Sequence, residues 1–238
     1  MTTKPIIFLD IETVPSTNNF SELPERIKDA WGKKSNYLRT DIAETDHELF
    51  DTKAGIFAEF GRIICISVGI ETQGKNGKQL RIKSFYGDDE RVLLEEFIEL
   101  VNTKFNQDSL HFCAHNGKEF DFPYICRRIL INRLVIPESL NIAGKKPWEV
   151  KHLDTMDLWK FGDYKHYTSL ELLAAIFNIE TSKDDIDGSQ VARVYYNEKN
   201  GLERVKTYCE KDVSVLAQIY YALTSQEAIK PENINFIA

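Results

Sequence analysis

Apolar positions along the chain follow two periods. The run Ile6-Ile7-Phe8-Leu9 is short, partly β-branched and closed by Asp10, which predicts a buried central strand. Arg62 to Ile70 and Leu80 to Tyr86 flank the turn-rich Gln73-Gly74-Lys75-Asn76-Gly77 and predict a hairpin. These three strands are expected to form an antiparallel or mixed sheet edge. From Glu90 to Phe105 the period changes: Val92, Leu93, Phe97, Ile98, Val101 and Phe105 recur at helical spacing, and a strand follows at Ser109 to His115. Further helices are expected at Phe122 to Leu134, Ser169 to Phe177 and Leu202 to Thr224, with a short strand near Lys151 to Thr155. Three leading strands, then alternating helices and strands, predict one α/β domain over residues 1–238, with a mixed sheet flanked by helices.

Two stretches break this pattern. Pro15 to Phe60 reads as an insertion with a helix around Glu22 to Trp31, and Pro137 to Val150 reads as a long loop of the kind that is usually functional or mobile. Their charges differ. Asp41 to Phe60 holds six acidic residues against one lysine, whereas Arg127 to His166 holds eight Lys or Arg against five Asp or Glu. The second region is therefore the one that could face phosphates, although two ordinarily solvated surfaces would read the same way.

At 42% hydrophobic and 28% charged residues, the composition is that of an ordinary globular protein. No apolar run approaches the roughly 20 residues of a membrane span, and no signal-peptide pattern opens the chain, so a cytoplasmic protein is expected. Cys65, Cys113, Cys126 and Cys209 are dispersed and form no CxxC pair, which predicts reduced, mostly buried thiols. The net charge of −7 argues against a protein that coats nucleic acid by counterion release, but not against an enzyme that grips one strand end through metal ions.

Candidate chemistry lies in three places. Asp10 and Glu12 stand two apart on a strand and so project from one face, which suits a hard divalent cation. In His115-Asn116-Gly117-Lys118-Glu119-Phe120-Asp121-Phe122-Pro123-Tyr124-Ile125 a strand gives way to a turn and a helix, placing Asp121 at the helix start, where it could equally act as a cap. In Tyr208-Cys209-Glu210-Lys211-Asp212, the tyrosine and Asp212 are four apart and share a helix face. Each pattern alone is weak. His152 to Asp157 also resembles a metal cluster but reads better as a structural element, and Arg127-Arg128 and Lys165-His166 are the remaining phosphate-contact candidates.

Taken in order, the three elements resemble the DEDD superfamily of 3′-5′ exonucleases with a ribonuclease H-like fold. Asp10 with Glu12, Asp121 and Asp212 match its three exonuclease motifs. Tyr208 matches the tyrosine subclass; Thr207 stands where the histidine subclass places its histidine. The NxxxFDxPYI pattern is most similar to the proofreading domain of family-B DNA polymerases, here in a standalone form, and the resemblance spans about Ile6 to Tyr221. Ser169-Leu170-Glu171-Leu172-Leu173 and Asp187-Gly188-Ser189-Gln190-Val191 occur at comparable places in such domains, whereas the segment between Thr13 and Ala54 departs from a minimal one.

The resemblance implies two divalent ions, Mg²⁺ or Mn²⁺. Asp10 would bridge them, Glu12 and Asp212 would hold the ion beside the attacking water, and Asp121 would act on the other largely through waters. Tyr208 would orient the attacking water. The backbone of Ile11 and Thr13 would meet the terminal sugar, with Asn116 and Phe120 near the terminal nucleotides. The implied partner is a nucleic-acid 3′ end, DNA in preference to RNA, with an exoribonuclease similar to ribonuclease D and a binding module with lapsed activity as the alternatives. No protein partner is implied.

Overall fold

A computed structural model describes residues 5–75, 77–163, 167–181 and 186–237. A six-stranded mixed sheet runs β5-β4-β1-β2-β3-β6. It comprises β1 (Ile6–Pro15), β2 (Gly61–Gly74), β3 (Gly77–Tyr86), β4 (His111–Ala114), β5 (Leu153–Asp154) and β6 (Ile234–Ile237). β1 is antiparallel to β2 and β2 to β3, while β1–β4, β4–β5 and β3–β6 are parallel.

This corrects the expectation that the first three strands form a sheet edge. They occupy the interior, with β5 and β6 outside them. The four residues of β6 are too few to show a period in the sequence, yet they pair Leu80 to Lys83 of β3 with Ile234 to Ile237. β1 also runs past Asp10 to Pro15, because antiparallel pairing with β2 continues through the polar stretch to Gly61. Gly61 is required there, since a methyl group at that position would collide with the Tyr124 hydroxyl.

Helices cover both faces of the sheet. Residues Ile7, Leu9 and Ile11 of β1 pack with α3 (Glu90–Lys104) and α4 (Asp121–Ile131), whereas Phe8 points to the opposite face, under Val213, Leu216, Ala217 and Tyr221 of α8 (Gly201–Leu223). Strand alternation fixes this sorting. The position of α4 is fastened by a buried ion pair: Arg128 donates to both Glu90 carboxylate oxygens and to the Ala58 carbonyl, and the Glu90 oxygen that takes the Arg128 Nε–H also accepts the Ile63 N–H at 2.7 Å. Removing either charge would strand its partner in the core, a costly outcome.

The 15–60 segment holds two helices rather than one. α1 spans Glu25–Leu38 and α2 spans Asp46–Lys53, the latter opened by a Thr45/Glu48 capping box. Leu23, Trp31, Leu49, Phe50, Ala54 and Phe60 give them a small core, and the Trp31 indole N–H donates to the Asp46 carbonyl at 2.8 Å. Three further short helices complete the described chain: α5 (Thr155–Lys160), α6 (Leu170–Ile176) and α7 (Val191–Asn197). Residues 137–150 form an irregular loop with two single 3₁₀ turns. No helix among the described residues is long and apolar enough to cross a membrane.

His152 is buried between Phe112 and Phe122, with ring centroids at 5.3 and 4.7 Å, and neither ring nitrogen has a hydrogen-bond partner. Burial pushes its pKa down from 6.5 to about 4. A group whose folded pKa is depressed contributes stability at pH above 6.5 that is lost as pH falls toward the folded value. The expected loss attributable to His152 is about 2 kcal/mol between pH 7 and pH 5. Denaturant unfolding of the wild type and of His152→Phe at both pH values checks this: the variant is expected to lose less stability on acidification, and parallel pH profiles would contradict it.

Candidate active site

The site forms where β1 outlasts its neighbour. Parallel pairing with β4 stops at Phe8↔Cys113, so beyond that residue one side of β1 faces a helix start instead of a strand. Antiparallel pairing on the other side continues, placing Asp10 opposite Ser67 and Glu12 opposite Cys65, with a bulge after Glu12. Bulges of this kind re-aim side chains at functional positions.

Asp121, the first residue of α4, fills the vacated side. Its carboxylate lies near the Ile11 backbone N–H, which favours the charged form. The Ile11 side chain is buried. Thr13 lies near the Tyr124 hydroxyl, which donates to the Gly55 carbonyl at 2.8 Å.

From the opposite face α8 presents Tyr208, Cys209 and Asp212. Positions 208, 209 and 212 lie on one helical face, which Val205 and Val213 hold against the sheet. The Cys209 thiol donates to the Asp10 carboxylate at 3.3 Å, and Tyr208 lies close enough to Asp212 for that carboxylate to raise its pKa. Donor atoms of Asp10, Glu12 and Cys209 all lie within 4.8 Å of one another. Cys209 is the member that motif reading passed over, although its place between Tyr208 and Asp212 on the same helical face was a legible signal.

The electrostatics tie the cluster together. Burial, then Asp121 and Asp212, push the Asp10 pKa well up; burial, then Asp10 and Asp212, do the same for Glu12. Asp121 is pushed up to about 7, chiefly by burial. Burial followed by Asp212, Glu12 and Asp10 raises the Tyr208 phenol far above its usual range, so it stays a neutral donor. Buried carboxylates that raise one another's pKa lack a counter-charge. An oxygen-rich set of this kind fits hard divalent cations, which would supply one.

The loop before α4 is pinned by Asp154 of β5, whose carboxylate accepts the N–H groups of Asn116 and Lys118 at 2.9 and 3.0 Å and also that of Met156. The structural reading of the His152 to Asp157 segment therefore agrees with its contacts. Asn116 adopts a left-handed backbone, with φ of 60°, and its Oδ1 is buried without a hydrogen-bond partner. Phe120 is half-buried and packs on Tyr124 with ring centroids 5.3 Å apart. Of the remaining phosphate-contact candidates, Arg128 is spent inside the core, and Lys165 and His166 lie outside the described residues.

No curated protein matches the sequence. Among solved structures, the chain is similar to the family B DNA polymerase from the hyperthermophilic archaeon Pyrobaculum calidifontis, with a TM-score of 0.55 and 14% identity. That match covers 95% of this chain but 26% of the polymerase, so the chain spans about a quarter of its length. At that identity the likeness concerns the fold. A family model described as the RNase H superfamily matches residues 49–224, which include Asp121, Tyr208 and Asp212. With more than half of its length matched by that model and a mixed sheet of the corresponding kind, the chain belongs to the RNase H superfamily.

Proposed function

We propose that this protein is a metal-dependent 3′-5′ exonuclease that hydrolyses phosphodiester bonds at the 3′ end of a single strand and releases nucleoside 5′-monophosphates. What supports the reading is the close set of Asp10, Glu12 and Cys209, with Asp121 and Asp212 near enough to raise the Asp10 pKa and Tyr208 near enough to feel Asp212, Glu12 and Asp10. Membership of a superfamily rich in nucleases supports it, as does a fold shared with a DNA polymerase.

Asp10, Glu12, Asp121 and Asp212 would hold two divalent ions, Mg²⁺ or Mn²⁺. When bound, such ions neutralise charge on phosphorus, acidify a water and stabilise the leaving 3′ oxygen. The chain's own groups do the rest. Asp10 and Glu12, projecting from one face of β1, set the position at which the phosphate must sit. Tyr208, kept protonated by its surroundings, can donate to or accept from a water while its ring stays packed against α7 and β1 residues. Positioning the nucleophile in this way is an established source of rate enhancement. Cys209 steadies the Asp10 carboxylate from below.

The second motif, ending in Phe120-Asp121-Phe122-Pro123-Tyr124-Ile125, favours DNA as substrate. Single-stranded DNA is expected to be digested faster than RNA of matched sequence in Mg²⁺ or Mn²⁺, with no digestion in a chelator. Initial rates on several matched pairs check this. A consistent RNA preference would assign the chain to ribonuclease chemistry on the same site, and chelator-resistant digestion would remove the metals.

A further inference from the structure

A groove of about 650 Å³ lies between the β4–α4 loop, the 137–150 loop and α5. Asn116, five residues before Asp121, lines it, and Asp154 in its wall is near enough to Asp121 to raise that carboxyl's pKa. Its wall carries Lys118, Lys145 and Lys160 together with Glu119, Asp154 and Asp157. The acids are largely engaged: Asp154 accepts three backbone N–H groups, and Asp157 pairs with Lys118 at 3.1 Å and with Lys160 at 3.7 Å. At the outer lip Lys145-Lys146-Pro147-Trp148 projects into solvent. Among the described residues Lys145 and Lys146 have no ion-pair partner, and Trp148 is 78% exposed with the Lys146 ammonium 5.3 Å from its ring centroid.

The exposed Trp148 has two lysines beside it, next to a groove whose Asp154 wall neighbours Asp121. Paired cations and an aromatic face are what a single strand recognises, through its phosphates and through one base plane. We propose that this groove carries the strand behind the scissile 3′ end, with one base stacked on Trp148 and the adjoining phosphates on Lys145 and Lys146. The inference rests on the exonuclease reading for its direction. The overall acidity of the chain is no obstacle, because binding draws on this local basic lip.

The test separates the two readings. Binding of a 5′-fluorescein-labelled ten-nucleotide oligothymidylate is followed by anisotropy in a chelator, and turnover of thymidine 5′-monophosphate p-nitrophenyl ester, which is too small to reach the lip, is followed in Mn²⁺. Trp148→Ala is expected to weaken oligonucleotide binding roughly tenfold, with Trp148→Phe restoring most of it. Lys145→Ala with Lys146→Ala is expected to flatten the dependence of binding on salt. Both variants should turn over the small ester at the wild-type rate. Unchanged oligonucleotide affinity and salt dependence in these variants overturns the groove assignment. Variant-sensitive binding without any ester turnover by the wild type keeps the groove and overturns the exonuclease.

Discussion

Asp10→Ala is expected to abolish cleavage, by 10⁴-fold or roughly more, while leaving the fold intact. Asp10 is at the centre of the cluster, within reach of Cys209 and electrostatically coupled to Glu12, Asp121 and Asp212. It is not among the buried apolar residues of β1, which are Ile7, Phe8, Leu9, Ile11 and Val14. Stability should move in the opposite direction to activity. Asp10, Glu12 and Asp121 have raised folded pKa values, so their contribution to stability is present below their unfolded values of 3.8, 4.5 and 3.8 and is lost as pH rises, through about 7 for Asp121.

At pH 7.5 the metal-free wild type therefore carries an uncompensated repulsion that Asp10→Asn relieves. Asp10→Asn is expected to raise the Tm of the chelated protein by a few degrees, and Mn²⁺ to raise the Tm of the wild type much more than that of the variant. Calorimetric scans with and without metal, alongside activity, test both halves. Wild-type turnover by purified Asp10→Ala, or an equal metal-induced Tm shift in wild type and variant, would sink the assignment of Asp10.

The second large effect separates Tyr208 from the acids. Tyr208→Phe removes one hydroxyl and keeps the ring that packs beside Val205 and Val14, so its fold and its carboxylates persist. A fall in kcat of roughly 10²-fold or more is expected, the scale of losing one positioned catalytic hydrogen bond, with little change in affinity for metal or for a DNA 3′ end. Asp212→Asn removes a charge from the cluster and is expected to weaken metal binding and turnover together. Metal titrations and single-turnover rates on the two variants make the comparison. Full activity in Tyr208→Phe, or loss of metal as severe as in Asp212→Asn, contradicts the division of labour.

Much of the fold was legible because its central elements are long and strongly patterned. The apolar run that opens β1, the hairpin turn between β2 and β3, and the apolar faces of α3 and α8 are all marked clearly enough to be read. Short elements were not legible. The seven residues of α7 include two valines and two tyrosines, a strand-like composition, and the helix forms because Val191 and Val194 are buried beside α8. α2 was overlooked despite its Thr45/Glu48 capping box, since only Leu49 and Phe50 mark its buried side.

At the site, spacing placed Asp10 with Glu12 and Tyr208 with Asp212, because strand and helix periods are rigid. The approach of Asp121 to the Ile11 amide depends on β4 ending four residues into the sheet. That length is a tertiary outcome that no local pattern encodes. The contact of Cys209 with Asp10 likewise depends on how α8 docks across the sheet.

The measurement that bears most directly on the central claim is a time course on a single-stranded DNA oligonucleotide labelled at its 5′ end, with Mn²⁺ and with a chelator control. The account predicts a ladder of labelled products that shortens one nucleotide at a time, only when metal is present, and is absent with Asp10→Ala. Immediate release of a labelled mononucleotide, internal cuts without a ladder, or no cleavage in Mg²⁺ or Mn²⁺ would contradict it.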